Sequence, residues 1–283
     1  YRLDTGPGVF VATMSGRGAL GEPQVDEFEQ PARFKIDLLW VIDDGMSMAL
    51  ELPSVRQNVR DLAAFYQAQG IDYHFAITTT DMRSGAGALL PIGAAPEARV
   101  IAFPEDPARV ADHIPSTTGS SASQGLDAIS AAFGEPLASG ANRAFYRQGA
   151  VLNVIVVSDR DDRSAVAPQA LIERLGARYG GTNLASISAV VGAQPGGCAS
   201  AHGQAAYAPR YIETARQSGG IVLSICAPAW ARAFEFSGAP FGPRPRFYLT
   251  HQPVTETLRI FVDDTEEPAT KNDRAPQWTY DYA

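Results

Sequence analysis

A buried strand that runs straight into carboxylates is the feature that most limits what this chain folds into. Leu38-Leu39-Trp40-Val41-Ile42, with Ile36 behind it, is apolar on both alternating sets of positions and is followed by Asp43-Asp44-Gly45-Met46-Ser47-Met48. A strand apolar on both faces belongs at the centre of a parallel sheet, with helices covering each side. Open sheets of that kind collect ligands at the carboxyl ends of their strands. Two carboxylates, a glycine and a hydroxyl at that end mark a candidate site.

The residues that follow alternate between helical and strand periodicity. Leu50, Val55, Val59, Leu62, Ala63 and Phe65 recur at helical spacing and predict a helix over 49–69, with Pro53 in its first turns and Gly70 as its stop. A strand over 71–79 carries Tyr73, Phe75 and Ile77 on one face and ends in Thr78-Thr79-Thr80-Asp81, a second cluster of oxygens. Residues 83–96 read as a loop or hairpin, 99–103 as a short strand and 107–113 as a short helix. The hydroxyl run Ser116 to Ser123 precedes the helical face of Leu126, Ile129, Ala132 and Phe133, where hydroxyls cap free N–H groups. Another wholly apolar strand over 149–158 ends in Ser158-Asp159-Arg160-Asp161-Asp162-Arg163. Then come a helix over 168–179, a strand over 184–191, a glycine-rich loop over 193–208, a helix over 209–217, a strand over 220–226 and a helix over 229–236.

This order predicts an α/β fold over 34–238: a doubly wound, mostly parallel sheet with helices on both faces. Residues 1–33, rich in glycine and proline around the apolar piece Val9 to Met14, read as an extended N-terminal arm. Residues 239–283 read as a small C-terminal β extension of short strands over 246–250, 255–262 and 277–282, the last presenting Trp278, Tyr280 and Tyr282 on one face.

Composition narrows the function classes. A net charge of −8 and a pI near 5.0 argue against a nucleic-acid or anionic-membrane partner. No apolar run approaches the roughly 20 residues of a membrane-spanning helix. The chain opens at Tyr1 without Met or an apolar leader, which predicts a processed or incomplete amino terminus. The four histidines, His74, His113, His202 and His251, lack the spacing of a zinc site, and no nucleophile elbow, phosphate loop or dinucleotide fingerprint is present. The expectation is a protein that is not an enzyme.

The stretch Val41-Ile42-Asp43-Asp44-Gly45-Met46-Ser47-Met48 resembles the first strand and loop of the von Willebrand factor type A domain, in the bacterial exported branch. That family's loop reads Asp-x-Ser-x-Ser and holds a divalent cation. Asp43 and Ser47 match, whereas Gly45 stands in place of the first serine. The resemblance implies a metal set of Asp43, Ser47, Ser120 and Asp159, Ser120 being placed by counting back from Gly125 with Thr118 as second choice. Asp44, Thr118, Asp81 and Asp161 would stand in the outer shell, and the ion would be Mg2+ or Ca2+. In relatives the third loop reads like Ser-Asp-Glu-Asp-Asp, and Asp159 is the match to its metal-site aspartate. Read from its residues alone, the triplet Asp159, Asp161 and Asp162 beside Arg160 and Arg163 is also a solvated turn with local ion pairs.

The same resemblance implies an exported, cell-surface or periplasmic protein that binds a partner protein or surface ligand at the strand-end face. In such a setting Cys198 and Cys226 pair as a disulfide, the alternative being two buried thiols. A second expectation keeps the fold as a scaffold with a vestigial metal site. The chain is then a structural subunit of a larger assembly, such as a virion or an envelope appendage, held to neighbouring subunits through its terminal arms.

Overall fold

The computed structural model describes residues 8–14, 24–30, 35–92, 97–117, 123–236, 257–262 and 265–267. In chain order the strands and α-helices are β1 (Gly8–Met14), β2 (Gln24–Gln30), β3 (Lys35–Ile42), α1 (Leu52–Ala68), β4 (Asp72–Thr79), β5 (Ile101–Ala102), α2 (Gly125–Ala132), β6 (Val151–Val157), α3 (Pro168–Tyr179), β7 (Ala185–Val191), β8 (Cys198–Ser200), β9 (Gly203–Ala205), α4 (Pro209–Gln217), β10 (Val222–Ser224), α5 (Ala231–Phe236), β11 (Arg259–Val262) and β12 (Thr265–Glu267). The chain divides into two compact units, Lys35–Ala239 and a second made of Tyr1–Phe34 with Pro240–Ala283.

The larger unit is built on a six-stranded sheet of order β10-β7-β6-β3-β4-β5. All pairs are parallel except β4 with β5, which closes one edge antiparallel. Every residue of β6 and β7 is buried, as is every residue of β3 after Lys35, because both faces are covered. On one face α1 presents Val55, Val59, Leu62 and Tyr66. There Tyr66 meets Phe75 edge-on at 5.6 Å, and Trp40 packs at 6.2 Å from Trp230, just before α5. On the other face Leu39, Val41, Val154, Val156, Ile187 and Ala189 pack beneath Leu126 and Ile129 of α2, Leu171 and Leu175 of α3, and Tyr211 and Ala215 of α4. At roughly 1.5–3 kcal/mol for each large apolar side chain buried, these two layers supply most of the drive to fold.

One of the buried carboxyls lies within the sheet itself, away from the strand ends. Asp37, in the first half of β3, is fully buried and accepts from Arg147 N at 2.9 Å, Arg147 Nε at 2.8 Å and Tyr179 Oη at 3.0 Å. Burial outweighs these donors and pushes its carboxyl up to about 6.

The smaller unit contains an antiparallel sheet of order β12-β11-β1-β2. Where the sequence suggests an extended amino-terminal arm and a small carboxyl-terminal β extension, β1 pairs with β2 on one side and with β11 on the other, placing segments of both in one sheet. The segment over 99–103 is a strand only at Ile101–Ala102, and the short helix expected over 107–113 is present as the 3-10 helix Pro107–His113. The strands expected over 246–250 and 277–282 lie outside the described residues.

Candidate functional site at the carboxyl end of the sheet

The winding of the sheet creates a gap between two strand ends. The chain runs from β3 outward to β4 and β5, returns to β6, and continues outward through β7 to β10, so its direction reverses between β3 and β6. Loops leaving the carboxyl ends of two such strands diverge and leave a crevice. Asp43 follows β3, and Ser158 and Asp159 follow β6; Asp43 N donates to Val157 O at 2.9 Å, which fixes the two loops side by side.

Asp43 is buried and both of its oxygens are engaged. Oδ1 accepts from Gly45 N at 2.9 Å, and Oδ2 accepts from Ser158 Oγ at 2.6 Å. Burial raises its carboxyl above the usual carboxylate range, against these two donors. Ser158 Oγ in turn lies 3.3 Å from Ser123 Oγ, which lies 2.8 Å from Tyr211 Oη, and that phenol accepts from Gly125 N at 3.0 Å. Burial holds the Tyr211 phenol protonated far above its ordinary range. A Cβ on Gly125 would stand 2.5 Å from the Tyr211 oxygen, so glycine is required for α2 to begin against this hydroxyl. The result is a connected chain of hydroxyls from Asp43 to the start of α2, with each partner fixed by the next.

Arg160 lies across the mouth of this arrangement. Its Nε donates to Asp159 Oδ1 at 3.3 Å and its Nη2 donates to Ser47 Oγ, while its backbone N donates to Ser158 Oγ at 3.2 Å. Asp159 is 7% exposed and the Arg160 side chain 32% exposed, so a guanidinium at the surface covers a carboxylate that is nearly buried.

The other expected acids are used differently. Asp161 accepts from Arg210 N at 3.0 Å and thereby caps α4. Asp162 is buried rather than solvated: it accepts from Leu126 N at 3.2 Å and Ser164 Oγ at 2.7 Å, and lies 2.9 Å from Arg210 Nε. The reading of this triplet as a solvated turn is therefore corrected, because two of its three acids satisfy helix termini that would otherwise be left without acceptors. Asp81 accepts from Arg83 N at 2.9 Å. Asp44 is buried, its Oδ1 has no hydrogen-bond partner, and burial together with the charges of Asp81 and Asp43 pushes it up to about 6. Ser120 and Thr118 lie outside the described residues.

Within residues 193–208, expected to be a loop, Cys198–Ser200 and Gly203–Ala205 pair as the hairpin β8–β9. Ala206 N donates to Asp159 O at 2.8 Å, Tyr207 bridges to Gly192 just past β7, and the buried carboxylate of Glu51 accepts from Gln204 N at 2.7 Å. A Cβ on Gly203 would come within 2.4 Å of Glu51 Oε1, at a φ of +145° that few other residues adopt. Cys198 and Cys226 form a disulfide with Cα atoms 6.1 Å apart, tying the hairpin to the chain beyond β10.

A hard divalent cation asks for six or more oxygen donors. Here Gly45 supplies none, Asp43 is engaged by protein donors, and Ser47 and Asp159 share a cation that belongs to the chain itself. No group of three His, Cys, Asp or Glu side chains among the described residues is arranged to hold a metal ion. Of the four positions that the resemblance implies for a divalent ion, Asp43, Ser47 and Asp159 stand together at these two strand ends.

No family model and no curated protein matches this sequence. Among solved structures, the chain is similar to proximal thread matrix protein 1 from the mussel byssus, with 13% identity and a TM-score of 0.47 over 71% of this chain and 46% of that one. It is also similar to a von Willebrand factor type A protein from Catenulispora acidiphila, with 15% identity and a TM-score of 0.45 over 83% and 50% of the two chains. A third similarity is to an aerotolerance-related membrane protein from Bacteroides fragilis, with 12% identity and a TM-score of 0.40 over 73% and 98%. The chain spans about half the length of the first two. The Lys35–Ala239 unit is a doubly wound, mostly parallel α/β sheet with its acidic loops at the strand carboxyl ends.

Proposed function

We propose that the Lys35–Ala239 unit is a non-catalytic protein-binding module that docks a partner protein at the carboxyl end of its sheet. The observation that carries this reading is where the unit leaves large apolar side chains in water. Among the described residues these are Met46, 72% exposed, Leu50, 74% exposed, and Tyr207, 38% exposed. All three belong to loops at the strand-end face, beside Ser47, Glu51 and Asp159. Aromatic and methionine side chains next to a charged centre are the composition of a protein interface.

The absence of catalysis is part of the proposal. The acids of the face serve as helix caps and hydrogen-bond acceptors, and His74 is engaged elsewhere, its Nδ1 lying 3.1 Å from Phe145 O. The disulfide supports export to an oxidising compartment, and no described helix is long and apolar enough to cross a membrane.

A second reading, assembly with neighbouring subunits, is favoured by β2, which pairs only with β1 among the described residues and exposes Val25. One experiment separates the two. The full chain is used to capture its partner from an extract, with Met46→Asp and Val25→Asp as variants. Loss with Met46→Asp alone supports the strand-end face, and loss with Val25→Asp alone supports assembly through the smaller unit.

A further inference from the structure

We propose that the Cys198–Cys226 bond is a redox latch on the hairpin β8–β9, and that a dithiol reductant opens the hairpin and frees Tyr207 from its place in the docking face. The inference rests on the strand-end face being the docking face.

The bond joins a short surface element to a well-anchored segment. β8 and β9 have three residues each and pair only with one another among the described strands. The hairpin is also tied by Ser200 Oγ donating to Cys226 O at 2.8 Å, by Gln204 N donating to Glu51 Oε1 at 2.7 Å, and by Ala206 N donating to Asp159 O at 2.8 Å. On the other side of the bond, Ile225 N donates to Val191 O at 3.0 Å, and Pro228 O accepts from Asn58 Nδ2 of α1 at 3.1 Å. Tyr207 lies two residues past β9, so the hairpin sets where its exposed ring stands.

Glu51 supplies a drive to open. The closed hairpin keeps this residue 1% exposed, with Oε1 pressed close to Gly203 and Oε2 without a hydrogen-bond partner. Burial, aided by the charge of Asp159, raises its carboxyl above the usual carboxylate range. A buried carboxylate with an unsatisfied oxygen gains free energy on return to water. The disulfide opposes that release.

The bond is reachable from one side. Cys226 is buried, whereas Cys198 is half-buried beside the exposed run Ala199 to His202. A thiolate of the reductant attacks the Cys198 sulfur and forms a mixed disulfide, and the Cys226 sulfur leaves as a thiolate. The second thiolate of the reductant then attacks its own bonded sulfur and releases Cys198. Two electrons pass to the protein, the two thiol protons end on the two cysteines, and the reductant leaves as a cyclic disulfide.

The test begins with the full chain alone. Hydrogen exchange is recorded for the oxidised protein, for the same protein in dithiothreitol, and for Cys198→Ser combined with Cys226→Ser. Reduction is expected to speed exchange about tenfold or more over residues 198–207 while β3 and β6 keep their protection, and reoxidation to restore the first state. Glu51→Gln is expected to keep more of that protection when reduced, because a neutral amide gains less from water. Unchanged exchange over 198–207 in dithiothreitol would overturn the proposal. So would equal loss in β3 and β6, and because the wild type is reduced while folded, neither outcome depends on the double variant folding.

A second arm uses the partner captured in the Met46→Asp comparison. Capture is expected to weaken about tenfold in dithiothreitol, and to be equally weak with and without it in the double cysteine variant. Capture that is unaffected while residues 198–207 open would overturn the control of docking by the bond. The docking face fails separately, if Met46→Asp captures the partner as well as the wild type, and the exchange result does not depend on it.

Discussion

Asp37 places a carboxylate where no water reaches, and the chain answers with a single arginine whose backbone and side chain both donate to it. Removing one member of such a pair leaves the other buried and uncompensated, so Arg147→Ala is predicted to cost about 3–5 kcal/mol in urea unfolding. Its pH dependence follows from the raised carboxyl. Between the ordinary value of 3.8 and about 6 the folded chain holds a proton that the unfolded chain has released, so stability contributed by that proton is lost as pH rises through this window. Without Arg147 the window extends upward, and the cost of the substitution is predicted to be larger at pH 7.5 than at pH 5; an equal cost at both would contradict the assignment. Asp162 offers the contrast with Asp43. Asp162→Ala removes the acceptor of Leu126 N and the partner of Arg210 and is predicted to lower stability by about 2 kcal/mol while leaving docking intact. Asp43→Ala, measured at a temperature where both chains are folded, is predicted to impair docking more.

The hairpin β8–β9 shows how an element can depend on contacts far away in sequence. Its strands have three residues each, too few to stand alone, and it is held by Glu51, by Asp159 and by the Cys198–Cys226 bond. Closing a loop of 28 residues stabilises the folded chain by about 3.5 kcal/mol in the chain-entropy account. Reduction is therefore predicted to release hydrogen-exchange protection first in residues 198–206, ahead of β3 and β6, and equal loss across the sheet would contradict this. The same contrast explains what was legible in the sequence. Helices α3 and α4 and strands β6 and β7 announce themselves by apolar runs and periodicity, because two covering layers demand them. The hairpin does not, since nothing local in Cys198 to Ala205 specifies it. The acidic loops could be read as strand ends, but not which acid caps which helix, since Asp161 meets α4 and Asp162 meets α2 only after folding. Of the residues that assemble the site, Ser158, Ser123 and Tyr211 carry no signal beyond being polar near strand or helix ends. Arg160 carries only the signal of a base beside acids, which is equally that of a local ion pair.

At the scale of the molecule, two units with different architectures share one chain, and each leaves apolar side chains exposed. The α/β unit exposes Met46, Leu50 and Tyr207 on loops that follow its strands, and the smaller unit exposes Val25 on β2. Met46→Asp combined with Leu50→Asp is predicted to change folding stability by no more than about 0.5 kcal/mol, because both side chains already face solvent. The docking face itself is tested most directly by hydrogen exchange on the full chain with its captured partner bound. Protection gained over residues 43–50 and 198–207, with 24–30 unchanged, is the predicted result. Protection gained over 24–30 alone would contradict it and move the binding surface to the smaller unit.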